Sequence, residues 1–234
     1  GSRFPPYSFP IDEQAVADYR YNGYSPVTVP VAAGDRRATI TLRLDRLHFE
    51  HGEPITGQVR VSGDGSADIA LDEVTLRNEA GGILHRESLE AADAGEYNLS
   101  VSPGASDVES WPMELILMVS GDFRGEAVDA VAPVRYHAAV GEITGVGASR
   151  VEGAHLVIPV EVAVESDGDY AIAGNLYSDS GSPLVHVEHE TRLSGMDGAA
   201  ELRVHRQALE AQGDDGPYEL GDLSLRQLPA RPGD

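Results

Sequence analysis

Hydrophobic and polar residues alternate along much of the chain from residue 38 onward. Ile40, Leu42 and Leu44 are separated by Thr41 and Arg43, and similar alternation recurs at short intervals. A two-residue period puts the hydrophobic side chains on one face, which predicts half-buried β-strands. Turn-forming glycines separate these segments, and seven or eight short strands of this kind predict a β-sandwich. The predicted strands lie in residues 38–44, 55–61, 69–76, 83–89, 97–101, 113–119 and 128–136.

The same pattern begins again in the second half. Leu156, Ile158, Val160, Val162 and Val164 alternate over nine residues, the clearest strand of the chain. Further strands are predicted in residues 170–177, 184–190, 200–205 and 218–225. Helix propensity favours a short helix over residues 206–211, which a glycine two residues later can stop.

The two halves also resemble each other. Residues 76–84 match residues 176–184 without a gap, and residues 95–101 match residues 198–204. Leu76 and Leu176 are therefore predicted to be equivalent buried positions. An offset of about one Ig-like domain length indicates a duplicated sandwich. The alternation changes phase at Asp72-Glu73, which predicts a β-bulge there.

Residues 1–32 have a different composition. Five prolines and six Phe or Tyr residues lie there, with room for only a short helix around residues 12–18. We interpret the segment as an extended N-terminal arm; we expect it to pack within the chain, and a recognition peptide is the alternative. Gly1-Ser2 is interpreted as the remnant of a cleaved expression tag. The predicted organisation is all-β: the arm (1–32), one antiparallel Ig-like sandwich (33–138) and a second in tandem (139–234).

The charge balance excludes several classes of partner. The 39 acidic and 17 basic residues give a formal charge of −22, and every basic residue is arginine. Nucleic-acid binding needs a cationic surface, so it is not expected. No apolar run is long enough to predict a membrane span. The absence of cysteine excludes disulfides and thiolate sites, and it is compatible with a periplasmic, secreted or cytosolic protein.

Two sequence runs resemble known modules. The run from Phe49 to Val59, with Gly52-Glu53-Pro54-Ile55-Thr56-Gly57, resembles the opening of macroglobulin-type Ig-like domains. The run from Gly216 to Leu225 resembles the last strand of Ig-like modules in large secreted bacterial proteins. The resemblance points to an uncharacterised family of secreted or periplasmic bacterial proteins with tandem Ig-like domains. It implies a fold and an extracytoplasmic location, and it transfers no catalytic or binding residue.

Candidate metal and ligand residues are few. Asp64 and Asp68 flank one acidic turn, and Asp167 and Asp169 flank its counterpart in the second half. Calcium prefers six to eight oxygen ligands, so these four aspartates are the candidate calcium ligands, although Asp-Gly is also ordinary turn chemistry. Trp111, the single tryptophan, is the candidate for stacking on a glycan; its alternative role is to anchor the start of a strand. No other cofactor is expected.

The histidines do not form a convincing metal motif. His48 and His51, like His186 and His189, are three residues apart, and such positions point to opposite faces of a strand. His186 and Glu188 can share a face, with His205 as a possible third ligand.

No catalytic motif occurs in the sequence, so we do not expect an enzyme. The resulting hypothesis is a non-catalytic, extracytoplasmic binding or structural module with a protein or glycan partner. A calcium- or glycan-dependent adhesion module is the first alternative. A hydrolase with a carboxylate site between the domains is the second. The ligand and the oligomeric state do not follow from the sequence.

Overall fold

Strands make up most of the computed structural model, which describes residues 3–104 and 107–230. The predicted tag remnant, Gly1-Ser2, lies outside the described residues. The all-β sandwich fold predicted from the sequence is confirmed. The strands are β1 (Ser8–Pro10), β2 (Val27–Ala33), β3 (Arg36–Leu44), β4 (His48–Glu50), β5 (Ile55–Ser62), β6 (Ile69–Arg77), β7 (Ile83–Ser88), β8 (Ala91–Asp93), β9 (Glu96–Val101), β10 (Glu114–Phe123), β11 (Glu126–His137), β12 (Gly141–Val146), β13 (Arg150–Glu152), β14 (His155–Val164), β15 (Gly168–Ser178), β16 (Pro183–Leu193), β17 (Gly198–His205) and β18 (Tyr218–Gln227).

The short helices occupy the connections. One α-helix, α1 (Arg206–Gln212), ends at Gly213, which adopts the left-handed conformation at φ 65°. Both the helix and its glycine stop agree with the sequence prediction. Single 3₁₀ turns occur at Val16–Tyr19, Ser66–Asp68 and Val108–Ser110.

The chain divides into two compact units. One comprises Asn22–Ala138 and is called the central unit here; the other comprises Gly1–Tyr21 together with Ala139–Asp234 and is called the split unit. The split unit therefore has two pieces that flank the central unit in sequence. This division differs from the predicted one, in which residues 1–32 formed one separate arm.

Within the central unit, the described strands form two five-stranded sheets. Their orders are β2-β3-β5-β9-β8 and β4-β11-β10-β6-β7. β4 is parallel to β11, and the other pairs are antiparallel. The alternating side chains meet in one core, in which Ile40, Leu76 and Leu117 are fully buried. Trp111 packs against the edge of this core.

The β-bulge predicted at Asp72-Glu73 is present. Ser120 pairs with Glu73 and Gly121 with Leu71, so Asp72 has no opposite residue in this register. Gly121 is needed at this place because a Cβ on it would lie 1.9 Å from the carbonyl oxygen of Ala70.

Two smaller sheets make up the split unit. The described strands have the order β1-β16-β15-β18 in one sheet; in the other, β14 pairs with β12 and β13 along one edge and with β17 along the other. Val160, Ile172, Val187 and Leu202 are fully buried in the shared core.

Matching leucines occupy matching positions in the hairpins β6–β7 and β15–β16, as the duplication predicts. Leu76 is 0% exposed and Leu176 is 1% exposed. Each hairpin has a register irregularity directly after its leucine.

The turns of the two hairpins are also alike. The N–H of Gly81 donates to the Asn78 carbonyl at 3.0 Å, and the N–H of Gly181 donates to the Ser178 carbonyl at 3.0 Å. The two glycines have φ values of 88° and 87°, which other residues rarely adopt. The local sequence match therefore corresponds to one shared hairpin structure.

The predicted arm is divided between the two units. Its last six residues belong to β2, an edge strand of the central unit in which Pro30 pairs with Thr39. The alternation of Val27, Val29 and Val31 is a strand pattern, but Pro26 and Pro30 interrupt it, and this is why the sequence predicts an arm here. Proline is compatible with an edge strand when its nitrogen, which carries no hydrogen, faces away from the neighbouring strand. This explains why a strand forms where an arm was predicted.

Candidate ligand-binding cleft

Residues 3–21, called the arm from here on, are integrated into the split unit. β1 pairs antiparallel with β16, with Ser8 opposite Val187 and Pro10 opposite Val185. Ser8 is fully buried, and its Oγ accepts a hydrogen bond from the N–H of His205 at 2.9 Å. Ile11 and Val16 are each 4% exposed, so the arm also contributes apolar side chains that are removed from water.

A polar cluster, buried at Asn175 and His186, lies between the arm and the outer face of the same sheet. Asn175 is its centre: its Nδ2 donates to the Tyr19 carbonyl at 3.0 Å and to Asp222 Oδ2 at 2.9 Å. Its Oδ1 lies 2.8 Å from Nδ1 of His186. The Tyr177 hydroxyl donates to Asp222 and accepts from Nη2 of Arg20 at 3.1 Å. We call this cluster the arm anchor: Tyr19, Arg20, Asn175, Tyr177, His186 and Asp222.

Burial shifts the acid–base behaviour of the arm anchor. It lowers the pKa of His186, so the neutral ring is favoured, although Glu188 at 3.6 Å acts in the opposite direction. Burial and the hydrogen bond to Asp222 raise the pKa of Tyr177. The rings of Tyr19 and His186 are also in contact, with centroids 4.7 Å apart. The polar groups of the arm anchor thus pair with one another, and these contacts hold the arm against the sheet.

The arm changes direction at its adjacent prolines, Pro5 and Pro6. The N–H of Ser8 donates to the Pro5 carbonyl at 3.1 Å, which closes a turn over Pro5, Pro6 and Tyr7. This turn forms one end of a cavity of about 550 Å³ within the split unit. A cavity of this size is large enough for a small ligand or a peptide segment. We call it the arm cleft; it is lined by Pro6, Tyr7, His155, Glu188, His189, Glu190 and Arg203.

The arm and the strands β14, β16 and β17 supply the walls of the arm cleft. The Tyr7 hydroxyl lies 2.8 Å from Nε2 of His155, at the start of β14. The His155 ring also contacts the His205 ring, with centroids 5.1 Å apart. Burial, followed by the charges of His205 and Arg203, lowers the pKa of His155. A neutral imidazole is therefore favoured at this wall of the arm cleft.

The charged side chains of the arm cleft differ in how they are paired. Glu188 accepts a hydrogen bond from Nη2 of Arg226 at 2.8 Å. Arg203 is 3.5 Å from Glu152, a looser ion pair. Glu190 is exposed, and neither it nor His189 forms an ion pair with any residue in 3–104 or 107–230. These two side chains are thus available to a ligand.

The sequence did not predict this cleft. Its residues are up to about 200 positions apart, and no short motif connects them. The one sequence signal for the arm cleft was the aromatic, proline-rich composition of residues 3–21. This composition indicated that the segment packs within the chain, but it did not indicate which strands it packs against.

The aspartates predicted as calcium ligands differ in their local structure: Asp64 lies in a turn and Asp68 ends the 3₁₀ turn Ser66–Asp68, whereas Asp167 precedes β15 and Asp169 lies within it. Asp68 is engaged by Arg124, whose Nε lies 2.8 Å from Oδ2. Asp169 lies 3.9 Å from Arg192. Asp64 and Asp167 are exposed. Within residues 3–104 and 107–230, no group of three or more His, Asp or Glu side chains is arranged to hold a metal ion. Calcium binding at these four positions stays a prediction.

Trp111 is half-buried rather than presented to solvent. Its ring packs against the central core, with its centroid 6.1 Å from that of Tyr136. This position fits the strand-anchor interpretation better than a stacking platform.

The histidine pairs separate as their spacing predicts. His48 bonds to His137, with 3.1 Å between Nδ1 and Nε2, whereas His51 packs on Tyr136. In the split unit, His186 belongs to the arm anchor and His189 to the arm cleft.

Comparisons with known proteins bear on the fold. No protein-family model and no curated protein matches the sequence. A DUF4785 family protein from Legionella pneumophila is similar in structure, with a TM-score of 0.58 and 15% sequence identity over 80% of this chain. The chain spans about half of that protein, 52% of its length. At this identity the similarity shows a shared β-sandwich fold.

Two larger enzymes or enzyme-related proteins overlap more weakly. The α2-macroglobulin of Escherichia coli gives a TM-score of 0.31 at 10% identity, over 86% of this chain and 15% of that one. A β-glucuronidase of Bacteroides uniformis gives 0.30 at 11% identity, over 91% and 31%. Overlaps this weak support no conclusion about function.

No helix within residues 3–104 and 107–230 has both the length and the apolar character to span a membrane. The chain is an all-β sandwich protein whose fold is shared with a bacterial DUF4785 protein.

Proposed function

We propose that the chain is a non-catalytic binding module of an extracytoplasmic bacterial protein, and that its ligand occupies the arm cleft. The observation that carries the proposal is the arm cleft itself, a 550 Å³ cavity that one compact unit assembles from its arm and three of its strands. Ligand sites combine a concave surface with a few fixed polar groups, and the arm cleft has both. The extracytoplasmic setting rests on the two runs that resemble secreted Ig-like modules.

The pairing of the side chains favours binding over catalysis. Glu188 is engaged by Arg226, and His155 is held by Tyr7. Such groups are positioned by their neighbours, as a recognition surface requires. The side chains left for a ligand, Glu190 and His189, differ in chemistry and do not form a nucleophile–base pair within the described chain.

A ligand panel tests this proposal. The full chain, labelled with ¹⁵N, is titrated with five-residue peptides of different charge and with neutral and acidic oligosaccharides. We expect at least one class to shift amide resonances around residues 188–190 and 203, and His189→Ala or Arg203→Ala to weaken the binding. Arg36→Ala, an exposed arginine of the central unit, is the matched control.

Two outcomes contradict the proposal. Binding that both cleft variants leave unchanged would place the ligand elsewhere. Chemical conversion of a panel member, lost in the His189→Ala variant, would mean that the arm cleft is catalytic.

A glycan-dependent adhesion module is the second candidate. Tyr7 is 37% exposed and lines the arm cleft beside Pro6, and an exposed aromatic ring can stack on a sugar. Oligosaccharide binding in the same titration, lost in Tyr7→Ala and kept in Trp111→Ala, would favour it. Oligosaccharide binding that also requires calcium would support a calcium-dependent adhesion module.

A further inference from the structure

Strand β16 continues past the point where its outer neighbour ends. β16 reaches Leu193, whereas β1 pairs only with Val185, His186 and Val187. A last backbone bond joins the N–H of Glu188 to the Tyr7 carbonyl at 3.0 Å. Among residues 3–104 and 107–230, no strand pairs with this side of residues 189–193.

The register shows which backbone groups face the open edge. The N–H of Ile11 donates to the Leu184 carbonyl, and the N–H of Glu188 donates to the Tyr7 carbonyl. In an antiparallel ladder the bonding groups of alternate residues point to the same side. The N–H and C=O groups of Glu190 and Arg192 therefore point toward the side that β1 occupies further along the strand.

Proline ends the pairing of the arm with β16. Continued pairing would place Pro5 opposite Glu190, and proline has no N–H to donate. The turn that begins at Pro5 leads the arm away, with Phe4 packed against the core of the split unit. The result is a sheet edge that the arm leaves open, and the arm cleft adjoins its first two residues, His189 and Glu190.

We propose that the arm cleft binds an extended, positively charged peptide segment of a partner protein, which adds to the open edge of β16 as a strand in line with β1. This inference rests on the proposed function, because it assigns a ligand class to the same cleft. Strand addition of this type takes its affinity from main-chain hydrogen bonds and its specificity from alternate side chains. The open stretch, residues 189–193, accommodates a segment of about five residues.

Charge determines the preferred sequence of the segment. The whole chain carries a formal charge of −22, which attracts cationic partners. Glu190 is exposed and has no ion-pair partner among the described residues. Residues directly opposite on antiparallel strands project to the same face, so an Arg or Lys opposite Glu190 completes a cross-strand ion pair. The carboxyl end of the segment meets Pro6 and Tyr7, which line the arm cleft.

The test uses a defined probe. The peptide acetyl-Val-Thr-Val-Arg-Val-amide, carrying a fluorophore, places its Arg opposite Glu190, and its binding to the full chain is measured by fluorescence polarisation. Methylating the amide nitrogen of the Arg removes a bond to β16 and adds a clash, so we expect affinity to fall at least about tenfold. Methylating the preceding Val changes a nitrogen that faces away from β16 and is the matched control.

Variants of the chain test the same geometry. In Arg192→Pro the N–H facing the open edge is replaced by a ring, which edge positions tolerate, so we expect normal folding and at least about a tenfold loss of peptide binding. Arg192→Ala separates the loss of charge from the loss of the N–H and should bind nearly as well as the original chain. Glu190→Gln should weaken the peptide about two- to fivefold. Glu219→Gln changes an exposed glutamate on β18, at the other edge of the sheet, and should have no effect.

The outcomes separate this inference from the proposed function. Equal loss of affinity for both methylated peptides, or normal binding by Arg192→Pro, overturns strand addition. Tighter binding of the peptide with Glu in place of Arg overturns the charge assignment. Binding of oligosaccharides without binding of any peptide overturns this inference and leaves the proposed binding function standing. Absence of all binding at the arm cleft removes both.

Discussion

The hairpins β6–β7 and β15–β16 have the same turn but different outer faces. Thr75 and Arg86 lie opposite each other in the first hairpin, and Asn175 and His186 take their places in the second. Thr75 accepts a hydrogen bond from the adjacent Arg77, a local contact. Asn175 instead bonds to Tyr19, more than 150 residues earlier in the chain. Both positions are buried, Thr75 at 1% and Asn175 at 0% exposed, but only in the second hairpin does a distant segment of the chain supply the hydrogen-bond partner.

Removal of the arm should have the largest effect on this comparison. Ile11 and Val16 are buried in the split unit, and burying two such side chains stabilises it by about 3–6 kcal/mol. This is a large part of the stability of a typical domain. In a chain that begins at residue 22, we expect the amide resonances of the split unit to lose dispersion, while those of the central unit are retained. Addition of a peptide with residues 3–21 should restore them. Unchanged spectra of the split unit would show that the arm is dispensable.

The paired leucines test the shared framework. Leu76→Ala and Leu176→Ala each remove a fully buried side chain, so each should lower the free energy of unfolding by about 2–5 kcal/mol. Urea denaturation followed by circular dichroism measures the effect. Val151→Ala, at a residue that is 80% exposed, is the control and should be nearly neutral. A large effect at only one leucine would show that the two positions are not energetically equivalent.

The polar residues should differ between the hairpins. Asn175→Ala removes the hydrogen bonds to the Tyr19 carbonyl, Asp222 and His186, and we expect a cost of about 1–3 kcal/mol. Thr75→Ala removes one local acceptor of Arg77 and should cost less. The two variants are compared by thermal melting at one pH. Equal costs would mean that the arm anchor adds nothing beyond an ordinary hydrogen bond.

Acid should weaken the second hairpin selectively. The pKa of His186 is lowered from 6.5 in the folded chain, chiefly by burial, so below about pH 6.5 the unfolded chain binds the proton first. Stability is therefore lost as the pH falls from that value to the folded pKa, and then levels off. We expect His186→Gln to flatten part of this dependence, measured as the urea midpoint between pH 7.5 and 5. The rest of the pH dependence is expected to come from His51 and His155, because burial lowers their pKa values as well.

The matching acidic turns should show the smallest effect. Asp68 is already paired with Arg124, and no metal-binding group was found within residues 3–104 and 107–230. We expect calcium and magnesium chlorides at equal ionic strength to raise the melting temperature equally, because both act by screening the net charge. A shift with calcium alone, lost in Asp64→Asn or Asp167→Asn, would establish a specific site.

Local features of the fold could be predicted from the sequence because short-range patterns determine them. The alternation around Ile40 and Val160, the bulge at Asp72 and the glycine stop of α1 each depend on a few adjacent residues. The position of the arm could not be predicted, because Ser8 pairs with Val187 and no pattern connects residues so far apart. The arm cleft depends on that pairing, so its residues were not predicted either. The four aspartates and Trp111 were visible because they stand out locally.

The two-part construction of the split unit has a consequence for biosynthesis. The arm is translated before the rest of the split unit, and Val187, opposite Ser8 in the sheet, follows about 180 residues later. At a typical rate of 5–20 residues per second, the ribosome needs roughly 9–36 s to reach it. During this interval the complete central unit can fold, while the aromatic side chains of the arm have no native binding surface. During this interval the arm is open to chaperones and to premature association, and its capture by β16 completes the split unit.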